Sequence, residues 1–122
     1  MSILWMIMGR KMYNYNKTIP RIFGLSVFPL VAWTVGLFVL SIIYYSLMTL
    51  FTKITAIMII LPLYWALLIA AEYVGYHVFS LHNVEAAKYP PLPLFNCLHA
   101  PTWMKIVYFS MGPIMILFLA LL

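Results

Sequence analysis

From Ile22 to Thr52 the chain carries no charged residue, a run of 31 positions. About 20 apolar residues let an α-helix cross the hydrocarbon core of a bilayer. Two more uncharged runs follow, Ile54–Ala71 and Ile106–Leu122. Three such runs in 122 residues leave little chain for anything else. Composition agrees: 66% of the residues are apolar or aromatic and 7% are charged, against about 45–50% and about 25% in soluble domains. So few charges cannot cover a small soluble domain. A soluble globular domain, a disordered chain and an ordinary nucleic-acid module are excluded. The reading is an all-α integral membrane protein with three transmembrane helices, kinked by prolines, in a single membrane domain.

The expected parts are a basic N-terminal segment (1–21), spans at 24–50, 54–79 and 104–122, and a proline-rich loop (80–102). Pro29 falls in the first two turns of the first span. Pro62 predicts a kink in the second, and Met111-Gly112-Pro113 interrupts the third. The turn between the first two spans is very short, which makes them antiparallel neighbours. Pro90, Pro91, Pro93 and Pro101 keep the loop from being helical. Its Tyr89, Leu92, Leu94, Phe95 and Leu98 are apolar, so it is expected on the membrane surface or against another subunit.

Orientation follows from basic residues near the span ends. Arg10, Lys11, Lys17, Arg21, Lys88 and Lys105 fall on one side and only Lys53 on the other. The N-terminus is therefore expected on the cytoplasmic side of a bacterial or archaeal plasma membrane, or the matrix side of the mitochondrial inner membrane. Met1–Met8 is apolar and precedes the first basic residues, the reverse of a secretory signal. Cys97 is the only cysteine, so no internal disulfide is possible.

Glu72 is the most informative position, because a carboxylate inside a span is costly and usually paired. Arg21, at the start of the antiparallel neighbour, is the candidate partner in a structural ion pair. Ala32/Gly36 and Ala71/Gly75 have the four-residue spacing that lets helices approach closely. His77, His82, His99, Cys97, Glu72 and Glu85 are possible donors on one side of the membrane. Their spacing matches no zinc ribbon or histidine-box pattern, so His82, Cys97 and His99 stand only as weak metal candidates. Tyr13, Tyr15, Tyr44, Tyr45, Tyr89 and Trp103 fit interfacial aromatic belts.

Two stretches resemble the cytochrome b-type membrane anchor of succinate dehydrogenase. Arg21-Ile22-Phe23-Gly24 is similar to the Arg-x-x-Gly that opens the family's first helix. Tyr76-His77 resembles the context of its haem-ligating histidine. Pro20 stands where the family has a histidine. The resemblance implies three spans with the N-terminus inside, His77 as an axial ligand of haem b, and Arg21 bordering a quinone site.

The functional expectation is a small non-catalytic accessory subunit that stabilises a multi-subunit membrane complex, a respiratory or other redox complex first among them. Its expected partners are other integral membrane subunits and bound lipid, with no nucleic acid. The alternatives are a haem- or quinone-binding anchor using His77 and Arg21, and an accessory subunit of a metal-containing membrane oxidase or monooxygenase.

Overall fold

The structure, a computed structural model, describes residues 1–122 apart from the side chain of Lys11. A short helix α1 (Ser2–Met8) opens the chain. A two-stranded hairpin follows, β1 (Arg21–Ile22) with β2 (Leu25–Ser26). Three long helices complete the fold: α2 (Val27–Leu50), α3 (Lys53–Tyr73) and α4 (Thr102–Leu121). A wider π turn, Val74–Val78, extends α3. With that turn included, the three helices have 24, 26 and 20 residues and are apolar enough to cross a membrane. At about 1.5 Å per residue each reaches about 30 Å or more, the thickness of the hydrocarbon core.

The helix starts have local causes. Phe23 and Gly24 take φ of 51° and 77°, the left-handed pair that a tight two-residue hairpin turn requires. That turn holds residues 21–26 in the hairpin and delays α2 from the expected Gly24 to Val27. Pro29 is the third residue of α2, where an amide has no partner inside the helix. Thr52 starts α3, its hydroxyl accepting from the Thr55 amide at 3.3 Å.

Proline decides how α3 meets α4. Pro113 has no amide hydrogen, so the Phe109 carbonyl four residues back loses its helical donor. The Trp65 indole of α3 donates to that oxygen at 2.9 Å. The neighbouring Tyr64 hydroxyl donates to the Tyr108 carbonyl. Between them the Tyr64 ring lies flat on bare Gly112, where an added Cβ would sit 2.5 Å from ring carbons. Leu37, Leu40, Tyr44, Ala56, Ile60 and Ile116 fill the centre of the bundle.

One end of the bundle is elaborately tied. The Asn16 amide donates to the His82 carbonyl at 3.0 Å and the Val84 amide to Asn14 at 2.8 Å. The Asn16 side chain donates to the Ser80 carbonyl at 2.9 Å and accepts from the His82 amide at 3.1 Å. The Asn83 side chain donates to the Met12 carbonyl. Lys17 reaches the Phe79 carbonyl at the exit of α3, a favourable place for a cation. At the other end, Lys53 donates to the Ala120 carbonyl at 2.7 Å.

Two expectations change here. The basic N-terminal segment, compatible from its charge with a place on the membrane surface, packs inside at its start: Trp5 and Met6 of α1 are 3% and 0% exposed and belong to the core. The proline-rich loop is only partly an outer surface. Cys97, Leu98 and Ala100 turn inward and are buried, Leu98 through a φ of 55°. Leu94 remains 91% exposed.

Candidate functional site: a polar cavity opening into an apolar groove

Glu72 lies in the last full turn of α3, and Tyr76 is four residues on, in the π turn. Residues four apart share a helix face, and both line a cavity of about 70 Å³ at the tied end. His82 and Asn83 enter it from the loop, as do Leu98, His99 and Ala100. Met104 and Tyr108 come from α4, and Met12, Tyr13 and Tyr15 from the N-terminal segment.

Tyrosines dominate its polar wall. The Tyr13 oxygen accepts from the Trp5 indole at 2.6 Å and the Trp33 indole at 3.3 Å. With its two acceptor positions used, the Tyr13 hydrogen is left for the Tyr108 hydroxyl 2.8 Å away. Burial pushes the Tyr13 phenol up to about 12. Tyr15 is also raised, by burial first and then by the charges of Tyr13 and Glu72. Tyr13 and Tyr15 therefore act as neutral hydroxyls.

Histidines make the other wall. The Tyr76 ring lies 4.6 Å from the His99 ring and 5.7 Å from that of His82. Burial lowers the His99 pKa, assisted by Lys105, His82 and His77, so the imidazole is neutral at pH 7. Its Nδ1 is buried with no hydrogen-bond partner among the described residues. Such an atom is costly unless something pairs with it. Glu72 is half-buried, and among the described residues its carboxylate makes no salt bridge.

Glu72, Tyr15 and Tyr108 also line a second space of about 400 Å³ between α2 and α3. Its walls are Ala32, Gly36, Leu40 and Ile43 on one helix and Leu67 and Ala71 on the other. The small residues thus act differently from expectation. An added Cβ on Gly36 or Gly75 would touch nothing within 4 Å. Ala32, Gly36 and Ala71 hollow out a groove instead of closing a helix contact.

The other candidate residues lie elsewhere. Arg21 does not pair with Glu72; the one salt bridge among the described residues joins Lys88 and Glu85 at 3.3 Å. The hairpin carries Arg21 off the end of α2, where it donates to the Asn14 side chain at 3.4 Å. With Asn14, Asn16 and Lys17 it lines a separate polar cleft of about 310 Å³. His77 lines none of these three spaces. Its Nε2 is 3.0 Å from the Phe95 carbonyl and its ring packs on Tyr73 at 4.5 Å. His77 and Arg21 line no common space among these three. Among the described residues no three of His, Cys, Asp and Glu converge as metal ligands. His82 and His99 share the cavity, whereas Cys97 is buried outside it, its thiol pushed up by burial and by the Glu72 charge.

Tyr76, Tyr108, Tyr13 and Asn83 are site residues that sequence reasoning missed. The spacing of Glu72 and Tyr76 was the one available signal, because it sets an acid and a hydroxyl on a single helix face. The chain matches no protein-family model, no characterised protein and no solved structure.

Proposed function

We propose that the protein is a membrane-embedded binding subunit that holds an amphipathic lipid, tail between α2 and α3 and polar head against Glu72. One observation carries this reading: a polar cavity and an apolar groove share Glu72, Tyr15 and Tyr108 in their linings. Ligand sites are typically apolar concavities with a few convergent polar groups. A groove walled by two long apolar helices is open to tails from the bilayer. The test is mass spectrometry of lipid retained after purification in mild detergent, comparing the natural chain with Gly36→Leu and Ala71→Leu. These changes put side chains into the groove without touching the polar cavity. Retained lipid should fall by about tenfold or more in both. Equal retention in all three proteins would overturn the reading.

A second reading, that the chain works as an accessory subunit of a larger membrane complex with its N-terminus on the cytoplasmic or matrix side, is favoured by the loop. Leu94 and Phe95 are 91% and 41% exposed beside three prolines, a stiff apolar edge that loses little entropy on docking. A photo-cross-linker at position 94 should capture a second polypeptide in native membranes. Capture of lipid alone would reject this role.

A further inference from the structure

Within the amphiphile-binding reading, on which this step rests, we infer that the head group held by the cavity is a protonated primary amine. The occupant is a single-chain, long-tailed amine.

Three observations on independent elements point the same way. First, Glu72 contributes a carboxylate to the lining of the apolar groove, and no salt bridge among the described residues answers it. A carboxylate on a long apolar helix, half-buried as Glu72 is, is usually paired. An ammonium arriving with the ligand supplies the partner. A fatty acid or a phosphate would place a second anion there. Second, the His99 imidazole lines the same cavity and its Nδ1 is buried without a partner. In the tautomer protonated on the other nitrogen, Nδ1 is an acceptor. An alkylammonium has three N–H donors, enough for the carboxylate, this nitrogen and one hydroxyl. Third, Tyr13, Tyr15, Tyr76 and Tyr108 surround the space. Aromatic rings about a cation are favourable, most of all when the cation is shielded from water.

Size selects among cationic heads. The cavity of about 70 Å³ is the smallest of the three spaces, against about 310 Å³ and about 400 Å³ for the others. That suits an ammonium and the carbon bearing it. A phosphoethanolamine or phosphocholine head is several times larger. The groove of about 400 Å³ then takes one hydrocarbon chain.

The experiment uses the full chain in dodecyl maltoside micelles and follows quenching of tryptophan emission by bromine-labelled hexadecylamine. Trp33 lines the groove, so a seated tail carries bromine close to an indole. Unlabelled hexadecylamine, hexadecanol, hexadecanoic acid and hexadecyltrimethylammonium are competitors. Hexadecylamine should compete at least about tenfold better than each of the others, the worth of a charge-assisted contact. Glu72→Gln should reduce that advantage over hexadecanol to about twofold or less while hexadecanol still binds. Comparable competition by all four, abolished by Gly36→Leu, would overturn the amine assignment and leave the lipid-binding reading standing. Amine preference unchanged in Glu72→Gln would likewise overturn it. If no probe binds the natural chain, both readings fall.

Discussion

Helix α3 makes two seams, and glycine behaves oppositely in them. Against α4, Gly112 is covered by the Tyr64 ring, with no room for a methyl group. Toward α2, Gly36 faces open space. Both glycines lie in long apolar helices, and both have helical neighbours. The difference is what the partner helix presents. At the α3–α4 seam, Pro113 leaves the Phe109 carbonyl without its helical donor, and α3 supplies Tyr64 and Trp65 as donors to this stretch of backbone. Those hydrogen bonds seat the Tyr64 ring, and only glycine fits beneath it. At the α2–α3 seam no such demand exists. The two helices meet near their short turn, where Tyr44 and Ala56 are buried, and leave a space inward of Ile43 and Tyr64. A small residue in a long apolar helix is therefore permission for contact, and a polar obligation elsewhere decides whether the contact forms.

This contrast can be broken most sharply at Gly112. Gly112→Ala should destabilise the bundle by about 1–3 kcal/mol through overpacking against Tyr64, read as a lowered unfolding midpoint in detergent. In a Tyr64→Ala background the same change should cost much less, because the obstructing ring is gone, and the double-mutant cycle would give the coupling directly. Additive effects would show that Gly112 is needed for some other reason.

The hydrogen bonds beneath that ring should come next in size. Tyr64→Phe keeps the ring on Gly112 and removes its donation to Tyr108; Trp65→Phe removes the donor to Phe109. Each should cost about 0.6–1 kcal/mol, the common worth of such bonds between membrane helices. Restoring a backbone amide by Pro113→Ala should make the Trp65→Phe change nearly silent.

Acid probes the other seam at its polar mouth. Burial depresses the His99 pKa from 6.5. A depressed folded-state pKa contributes stability that is present above pH 6.5 and is lost as pH falls through the folded value, because the unfolded chain takes up the proton first. The unfolding midpoint should thus drop on acidification below about pH 6.5, and His99→Gln should flatten that part of the profile. A profile unchanged by His99→Gln would assign the acid sensitivity to another group.

The smallest effect belongs to Gly36→Ala. With nothing within 4 Å of the new methyl group and helix propensity favouring alanine by about 0.5–1 kcal/mol, stability should stay the same or rise slightly. Alanine at Gly36 and at Gly112 should therefore differ in sign, which is the plainest check of the two seams.

Much of the fold was legible because its signals are local. Charge-free runs mark the helices, since each residue in a bilayer must be apolar or satisfied within its own segment. Prolines 90–101 mark the loop for an equally local reason, the missing amide. The site was legible only in its centre, Glu72. Its spacing to Tyr76 puts the two on one face, but nothing in that interval says what stands opposite. That was decided in three dimensions. The φ-positive turn at Phe23-Gly24 carried Arg21 away from Glu72. The short α1 buried Trp5 and thereby fixed Tyr13 between two indoles and Tyr108. The loop folded His82 and His99 back onto Tyr76. Sequence by itself determined which segments are helical and apolar, because a residue's cost in hydrocarbon is its own property. Only tertiary structure decided which side chains converge at the cavity, because that depends on contacts between residues as far apart in sequence as Tyr13 and Tyr108.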